Sequence, residues 1–245
     1  TTEQGTARTV TRQTMTFEGE DAGTLTMSTA GVIDFDRLLQ SATMTSRGTG
    51  TQAEAIAQQT GTMTMVSKGL TVYFKSSLFQ QVVPGAKEWM KMDMQAVSEE
   101  MGMDLGSLMP SNQGDPTSTL SYLAGVENVE EVGREEIHGV ETTHYRGRAT
   151  WESLKNALEP DAAATIEQLE TMMDVEGFDV DAWIDDENVA RRLEYDYDAL
   201  PMPGMDGTWS FLMEFYDFGI DVDVKIPPAH KVTDLMEVMQ DLEGQ

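Results

Sequence analysis

Apolar and polar side chains alternate with a period of two through much of the amino-terminal half, and that period restricts the chain to extended strands. Gln13, Met15 and Phe17 fall on one side, with Thr14, Thr16 and Glu18 on the other. Leu25 and Met27 alternate with Thr24, Thr26 and Ser28, and Met63 and Met65 alternate with Thr62 and Thr64. Leu70, Val72 and Phe74 share one face while Thr71, Tyr73 and Lys75 share the opposite one; Met90, Met92 and Met94 alternate with Lys91 and Asp93. Neighbouring side chains of a strand point to opposite faces, so the pattern predicts antiparallel strands with one dry and one wet side. Threonine supplies the β-branched residues of the wet side. Gly19–Gly23, Gly48–Gly50 and Lys68-Gly69 carry the turn signals between strands.

Further along, the spacing predicts a short helix over Gln95–Met103 and a loop over Met109–Pro116. Asp115 is placed to cap a helix with Pro116 in its first turn; Leu120, Leu123 and Ala124 form that helix's apolar stripe, and Gly125 ends it. Val126–Arg134 and Glu136–Thr150 read as a hairpin with His138-Gly139 near the turn. Trp151–Asp174 is helical, interrupted at Pro160, with Leu154, Leu158, Ile166, Leu169, Met172 and Met173 at helical spacing. Phe178–Ile184 and Val189–Tyr197 are a second strand pair, a strand follows from Thr208 to Phe218, Ile220–Ile226 is a last strand, and Val232–Leu242 is a terminal amphipathic helix. No repeat or Gly/Ser linker divides the chain. The expectation is a single α+β domain over residues 1–245: a strongly curved antiparallel half-barrel with helices covering its concave face.

Charge and residue inventory exclude whole classes of function. Forty-three acids against sixteen bases give a net charge of −27, a field that repels phosphate backbones and rules against nucleic acid. No basic cluster is present to hold anionic head groups. The acid excess serves solubility or marks a salt-adapted or extracellular surface. There is no cysteine, which excludes disulfides, thiolate metal sites and thiol nucleophiles. No apolar run approaches the ~18 residues of a membrane span. The chain opens Thr1-Thr2-Glu3 with neither a basic nor an apolar leader, as expected where a signal segment has been removed.

Catalytic constellations are missing as well. His138, His144 and His230 lack the spacing of a zinc site. The pairs Asp179/Asp181, Asp185/Asp186, Asp196/Asp198 and Asp221/Asp223 fit no EF-hand loop; i, i+2 carboxylates on a strand share a face, and the pairs are expected on the wet outer surface. No nucleophile elbow, phosphate loop or His-Glu-x-x-His is found. The expectation is a non-enzymatic protein with no catalytic residue, metal or cofactor. Arg191-Arg192 either meets a head group or partner, or offsets Glu187 and Glu194 at the surface. Trp151 and Trp209 are expected to anchor core packing.

Seven segments together resemble the LolA-like superfamily, and more closely the actinobacterial lipoproteins of the LppX/LprA/LprF/LprG type. They are Gly69–Tyr73 with Glu88–Met92; Leu120–Val126; Gly133–Tyr145; Val180–Asp185; and Asp217-Phe218-Gly219 with Val222–Pro227. They span roughly residues 9–235. The resemblance implies a half-open β-barrel with a hydrophobic cavity under helices. It implies an exported lipoprotein at the extracytoplasmic face of the cell membrane, carrying a lipid or acylated glycolipid. The eighteen methionines suit such a lining, because unbranched thioethers adapt to irregular apolar partners; the alternative is a loosely specified core with no ligand. The expected ligand-binding residues are Met27, Met63, Met65, Val72, Phe74, Met90 and Met92 on strands, with Leu120, Leu123, Leu154, Leu158 and Leu169 from helices. Gly102–Gly114 is the expected flap, and the protein is expected to be a monomer. The rival reading is a regulator resembling RseB, which shares the half-barrel and binds a membrane-protein partner. A third is a half-barrel whose interior is filled by its own side chains.

Overall fold

The computed structural model describes residues 5–19, 22–83, 85–100, 123, 125–157, 160–173, 175–200 and 205–238. Three long strands open the chain: β1 (Thr6–Phe17), β2 (Gly23–Asp34) and β3 (Leu39–Thr49). Helix α1 (Thr51–Thr60) precedes β4 (Thr62–Lys68) and β5 (Thr71–Lys75). Then come α2 (Ser77–Val82), β6 (Trp89–Asp93) and α3 (Met94–Glu100). The hairpin β7 (Val126–Ile137) and β8 (Val140–Thr150) leads into α4 (Trp151–Ala157) and α5 (Pro160–Met173). Strands β9 (Gly177–Asp185), β10 (Ala190–Tyr197), β11 (Gly207–Tyr216) and β12 (Val232–Asp234) complete the described elements.

The strands form one open sheet in the order β12-β6-β5-β4-β3-β2-β1-β11-β10-β9-β8-β7. It is built from two meanders. The first runs β1 to β6 and the second β7 to β11, and β1 pairs with β11 along its length, from Arg8 opposite Tyr216 to Phe17 opposite Gly207. All pairings are antiparallel except that of β12, which lies parallel to β6. The result is the curved, open half-barrel expected from the sequence.

Register decides the faces, because directly opposed residues of paired strands share one side. Met63 opposes Met44, Met65 opposes both Ala42 and Phe74, and Phe74 opposes Met90. The same side continues through Met27, Met15 and Trp209 to Tyr197, Phe178 and Ala149. This is the concave side, and helices pack on it. Ala53 and Ala57 of α1 join Phe17, Leu25 and Leu200 in one core cluster, with Met15, Met27, Ile56 and Trp209 against it. A bare Gly48 allows that contact: a Cβ there would lie 2.1 Å from the Ala53 carbonyl oxygen. Trp151 of α4 and Ile166 of α5 pack on Ala149, Phe178 and Val180 in a second cluster. Trp151 Nε1 donates to the Val175 carbonyl.

Several sequence expectations need correction. Ile220–Ile226 forms no strand; it crosses the convex side as an irregular strap, placing Val224 and Ile226 against Leu39, Val66, Tyr73 and Trp89. The strap is pinned where Gly219 N–H donates to the Thr6 carbonyl and the Thr6 hydroxyl to the Ile220 carbonyl. It covers an apolar patch that alternation alone would leave wet. The segment Val232–Leu242 begins as strand β12 and not as helix; residues 235–238 are helical, and the remainder of the expected helix lies outside the described residues. Met94 opens α3 and does not continue β6; Asp93 Oδ1 accepts from the Gln95 and Ala96 N–H groups and starts the helix there. Helix α1 carries no apolar stripe conspicuous in the sequence, because its inward residues include the alanines Ala53 and Ala57. The hairpin turn sits at His138-Gly139, both at positive φ, so β7 extends past Arg134 to Ile137. The rest of the expected Gln95–Met103 helix and the Gly102–Gly114 flap lie outside the described residues.

Candidate functional site

Among the described residues, the concave side holds two recesses that the described helices leave unfilled. One, of about 380 Å³, lies over β3–β5 and is lined by Gln40, Ala42, Met65, Ser67, Gly69, Leu70, Val72, Phe74 and Met94. Its shape follows from side-chain size. Ala42 and Ser67 form a low floor between longer residues, and Gly69 takes a left-handed turn at φ 55°. The walls are the alternating apolar residues of β4 and β5, with Met94 contributed by the first turn of α3.

Met65, Val72 and Phe74 thus line a shared recess. Met90 and Met92 lie on the same face beside them, opposite Phe74 and Val72. Met90 is fully buried, at 2% exposure, and belongs to the packed floor. Met63 is on the same face two residues from Met65. Met27 lies farther along β2, against the α1 cluster. Leu154 and Leu169 belong to the α4–α5 cluster, and Leu123 touches both that cluster and the second recess. Leu120 and Leu158 lie outside the described residues. The described strand residues of the expected lining therefore share one face of one sheet, and the described leucines pack over that face, divided among a recess and two helix-covered clusters.

The second recess, of about 270 Å³, lies over β8 and β9 at the other end of the sheet. Leu123, Val126, Val129, Tyr145, Gly147, Val180, Ala182 and Ile184 line it, with Arg146 and Asn188 at its margin. Sequence reasoning missed this site. Its floor depends on Gly147 and Ala182, and small residues carry no periodic signal.

Between the recesses an aromatic row crosses the concave side: Phe178 meets Tyr197 at 4.6 Å, and Tyr197 stacks on Trp209 at 4.7 Å. Burial pushes the Tyr197 hydroxyl well above its ordinary value, with a smaller push from Tyr195.

The convex side carries the polar chemistry. His144, buried between strands, donates through Nε2 to Asp181, which also accepts from Arg146 Nε at 2.9 Å. The His144 ring stacks on Trp183 at 4.1 Å, and the Arg192 guanidinium lies 5.0 Å over the indole. Glu214 accepts from Arg192 Nε at 2.8 Å and bonds His138 Nε2 at 2.9 Å. Burial raises the Glu214 carboxyl, but the bonds to His138 and Arg192 outweigh it and hold the group below its ordinary value. Arg191 bonds Asp185 Oδ2 at 2.6 Å and lies over Phe218 at 4.7 Å.

These contacts correct two expectations. Asp181 and Asp185 are buried members of ion pairs, whereas Asp179 and Asp186 are exposed on the wet surface as expected. Arg191 and Arg192 pair with Asp185 and Glu214 rather than merely offsetting Glu187 and Glu194. Their guanidinium groups are held in these ion pairs. Among the described residues no cluster of three or more His, Asp or Glu is arranged to hold a metal ion, and no helix is long and apolar enough to cross a membrane.

No family model matches the chain. Among curated proteins it is similar to an uncharacterised 31.2 kDa protein of the rplA–rplJ intergenic region of Streptomyces griseus, with 23% identity over 233 residues that cover 90% of this chain and 73% of that protein. Among solved structures it is similar to the Mycobacterium tuberculosis lipoprotein LppX, with 15% identity, a TM-score of 0.51, and 91% of this chain and 90% of LppX covered. It also aligns with LprF from Mycobacterium bovis at 12% identity and a TM-score of 0.43, covering 92% and 90% of the two chains. The LppX match shows that the chain has the LppX fold, the LolA-like half-barrel that its sequence resembles.

Proposed function

We propose that this protein is a cell-envelope lipid carrier that holds an acyl chain of a lipid or lipoglycan against its concave face. The observation that carries this reading is the recess of about 380 Å³ walled by Met65, Leu70, Val72, Phe74 and Met94. Its size falls in the range of about 300–1,000 Å³ typical of small-ligand sites. Acyl chains need no polar partner. Each methylene taken out of water contributes about 0.8 kcal/mol, so ten of them supply about 8 kcal/mol against the cost of immobilising the ligand. Methionine walls suit a chain of variable shape, since the thioether adapts its rotamer at low cost.

The mechanism is passive. The sheet presents a preformed dry surface, α3 starts at the recess rim with Met94, and the ligand passes by contact between donor and acceptor membranes. No step requires a catalytic group. LppX is a lipoprotein by name, and the shared fold supports by analogy a place at the extracytoplasmic face of the cell membrane. The protein acts as a monomer in this reading.

The test is native mass spectrometry of protein extracted without detergent, together with titration by a fluorescent fatty acid. Co-purified lipid and saturable uptake of the probe are expected. Protein that emerges lipid-free and takes up no probe refutes the carrier reading.

A further inference from the structure

Strand β7 ends the sheet and differs from every other long strand. It pairs with β8 alone, so its other edge offers unpaired backbone groups among the described residues. From Glu127 to Glu136 every residue but Gly133 is exposed. Two register shifts interrupt the ladder, between Glu127 and Glu130 and between Glu131 and Gly133. Each shift turns out a valine: Val129 is 56% exposed and Val132 48%. Bulges re-aim side chains and can protect a free edge. Edge protection alone is served as well by polar residues, and two outward valines work against it.

The charge along β7 itself is one-sided, and the arginines facing it from β8, Arg148 opposite Glu127 and Arg146 opposite Glu130, are engaged by Asp179 and Asp181. Glu127, Glu130, Glu131, Glu135 and Glu136 lie along β7, and its single base, Arg134, is already engaged by Glu141 at 2.7 Å and Asp186 at 3.9 Å. Such a strip attracts positive charge and repels a second copy of itself. Beneath it lies the recess of about 270 Å³, whose wall includes Val126 and Val129 and whose floor is Gly147 and Ala182. A Cβ at Gly147 would lie 2.4 Å from Val126 Cγ1 and 2.9 Å from the Glu127 carbonyl oxygen. The glycine therefore lets β7 lie close over β8 while the recess stays open.

We propose that the free edge of β7 is a docking strip for a basic, extended segment of a partner protein, which seats an apolar side chain in the recess beside Val129. Its lysines or arginines meet the glutamate row, its backbone lies along the free edge, and its apolar residues cover the two valines. This inference does not rest on the acyl-chain reading, whose recess lies over β3–β5 at the far end of the sheet.

The experiment titrates the full chain with a synthetic peptide of alternating lysine and valine, read by amide chemical-shift mapping and by fluorescence anisotropy. Shifts concentrated on β7, Gly147 and Ala182 are expected. V129S/V132S should weaken binding about tenfold, and E130K/E131K should do at least as much. The exposed pair E18K/D221K carries the same charge change far from β7 and should alter affinity much less. Because Val129 and Val132 are exposed, their replacement leaves the fold intact, which circular dichroism checks. The inference is overturned if a lysine–serine peptide binds equally well, if both charge reversals weaken binding alike, or if the shifts report self-association. Met65→Glu should leave peptide binding unchanged, so loss of lipid uptake and loss of peptide binding remain separable.

Discussion

Replacing Met65 by glutamate tests the concave recess most directly. Met65 stands at the middle of β4, with Ala42 and Phe74 directly opposite, and lines the recess. It is partly exposed and is not part of the buried core. Met65→Glu should therefore cost stability only about 1 kcal/mol, an ordinary value for a non-core site. Binding suffers more. A carboxylate in the recess either stays hydrated, keeping two or three methylenes of the ligand away, or is stripped of water. The first route loses about 2 kcal/mol, which is about thirtyfold in affinity, and dehydrating an unpaired carboxylate costs several kcal/mol more. The assay is displacement of a bound fluorescent fatty acid, with circular dichroism confirming the fold. The control is one residue away: Thr64 points to the convex side between Thr43 and Lys75, so Thr64→Glu should bind like wild type. Equal affinity of wild type and Met65→Glu, or equal loss in the two variants, would refute the face assignment.

Other perturbations probe the scaffold. Gly48→Val drives a side chain into the Ala53 backbone and should lower stability by about 1–3 kcal/mol or more through overpacking, measured by urea denaturation; an unchanged midpoint would mean that α1 does not rest on β3. The Glu194 carboxyl is raised, first by burial and then by Asp196 and Asp181. A raised folded-state value means the fold disfavours the charge, so Glu194→Gln should stabilise at pH 7.5, lose that advantage as pH falls through the folded-state value, and have none left below the ordinary value of 4.5. Glu214 has the opposite sign. Its lowered carboxyl contributes stability above 4.5 that disappears as pH falls through its folded-state value, so Glu214→Gln should be weaker at neutral pH and match wild type in strong acid. Thermal denaturation across pH checks both. Added salt should raise the melting temperature, because it screens the self-repulsion of a chain at −27; a flat salt response would refute that cost.

The polar network on the convex side explains how an open sheet holds a charged outer surface. His144, Asp181, Arg146, Trp183, Arg192, Glu214 and His138 link β8, β9, β10, β11 and the hairpin turn through shared bonds and stacked rings. Each carboxylate serves both a histidine and an arginine, which offsets its desolvation. The strap at 220–228 does the matching work at the other end of the sheet, by apolar contact.

Period two in the sequence was enough to place Met63, Met65, Val72, Phe74, Met90 and Met92 on apolar faces, because a strand's geometry ties side-chain direction to residue parity. The same logic anticipated the break at Pro160 and the hairpin around His138-Gly139, where ring closure and left-handed backbone act locally. Long-range pairing decided the rest. Only the seam of β1 with β11, some two hundred positions apart in the chain, joins the two meanders into one surface. The settling of Ala53 on Gly48 brings a helix against Met27, while Met65, on the same face, lines a recess. Parity tells which way a side chain points, but whether it meets another group or a vacancy depends on the sizes of residues brought in from remote parts of the chain.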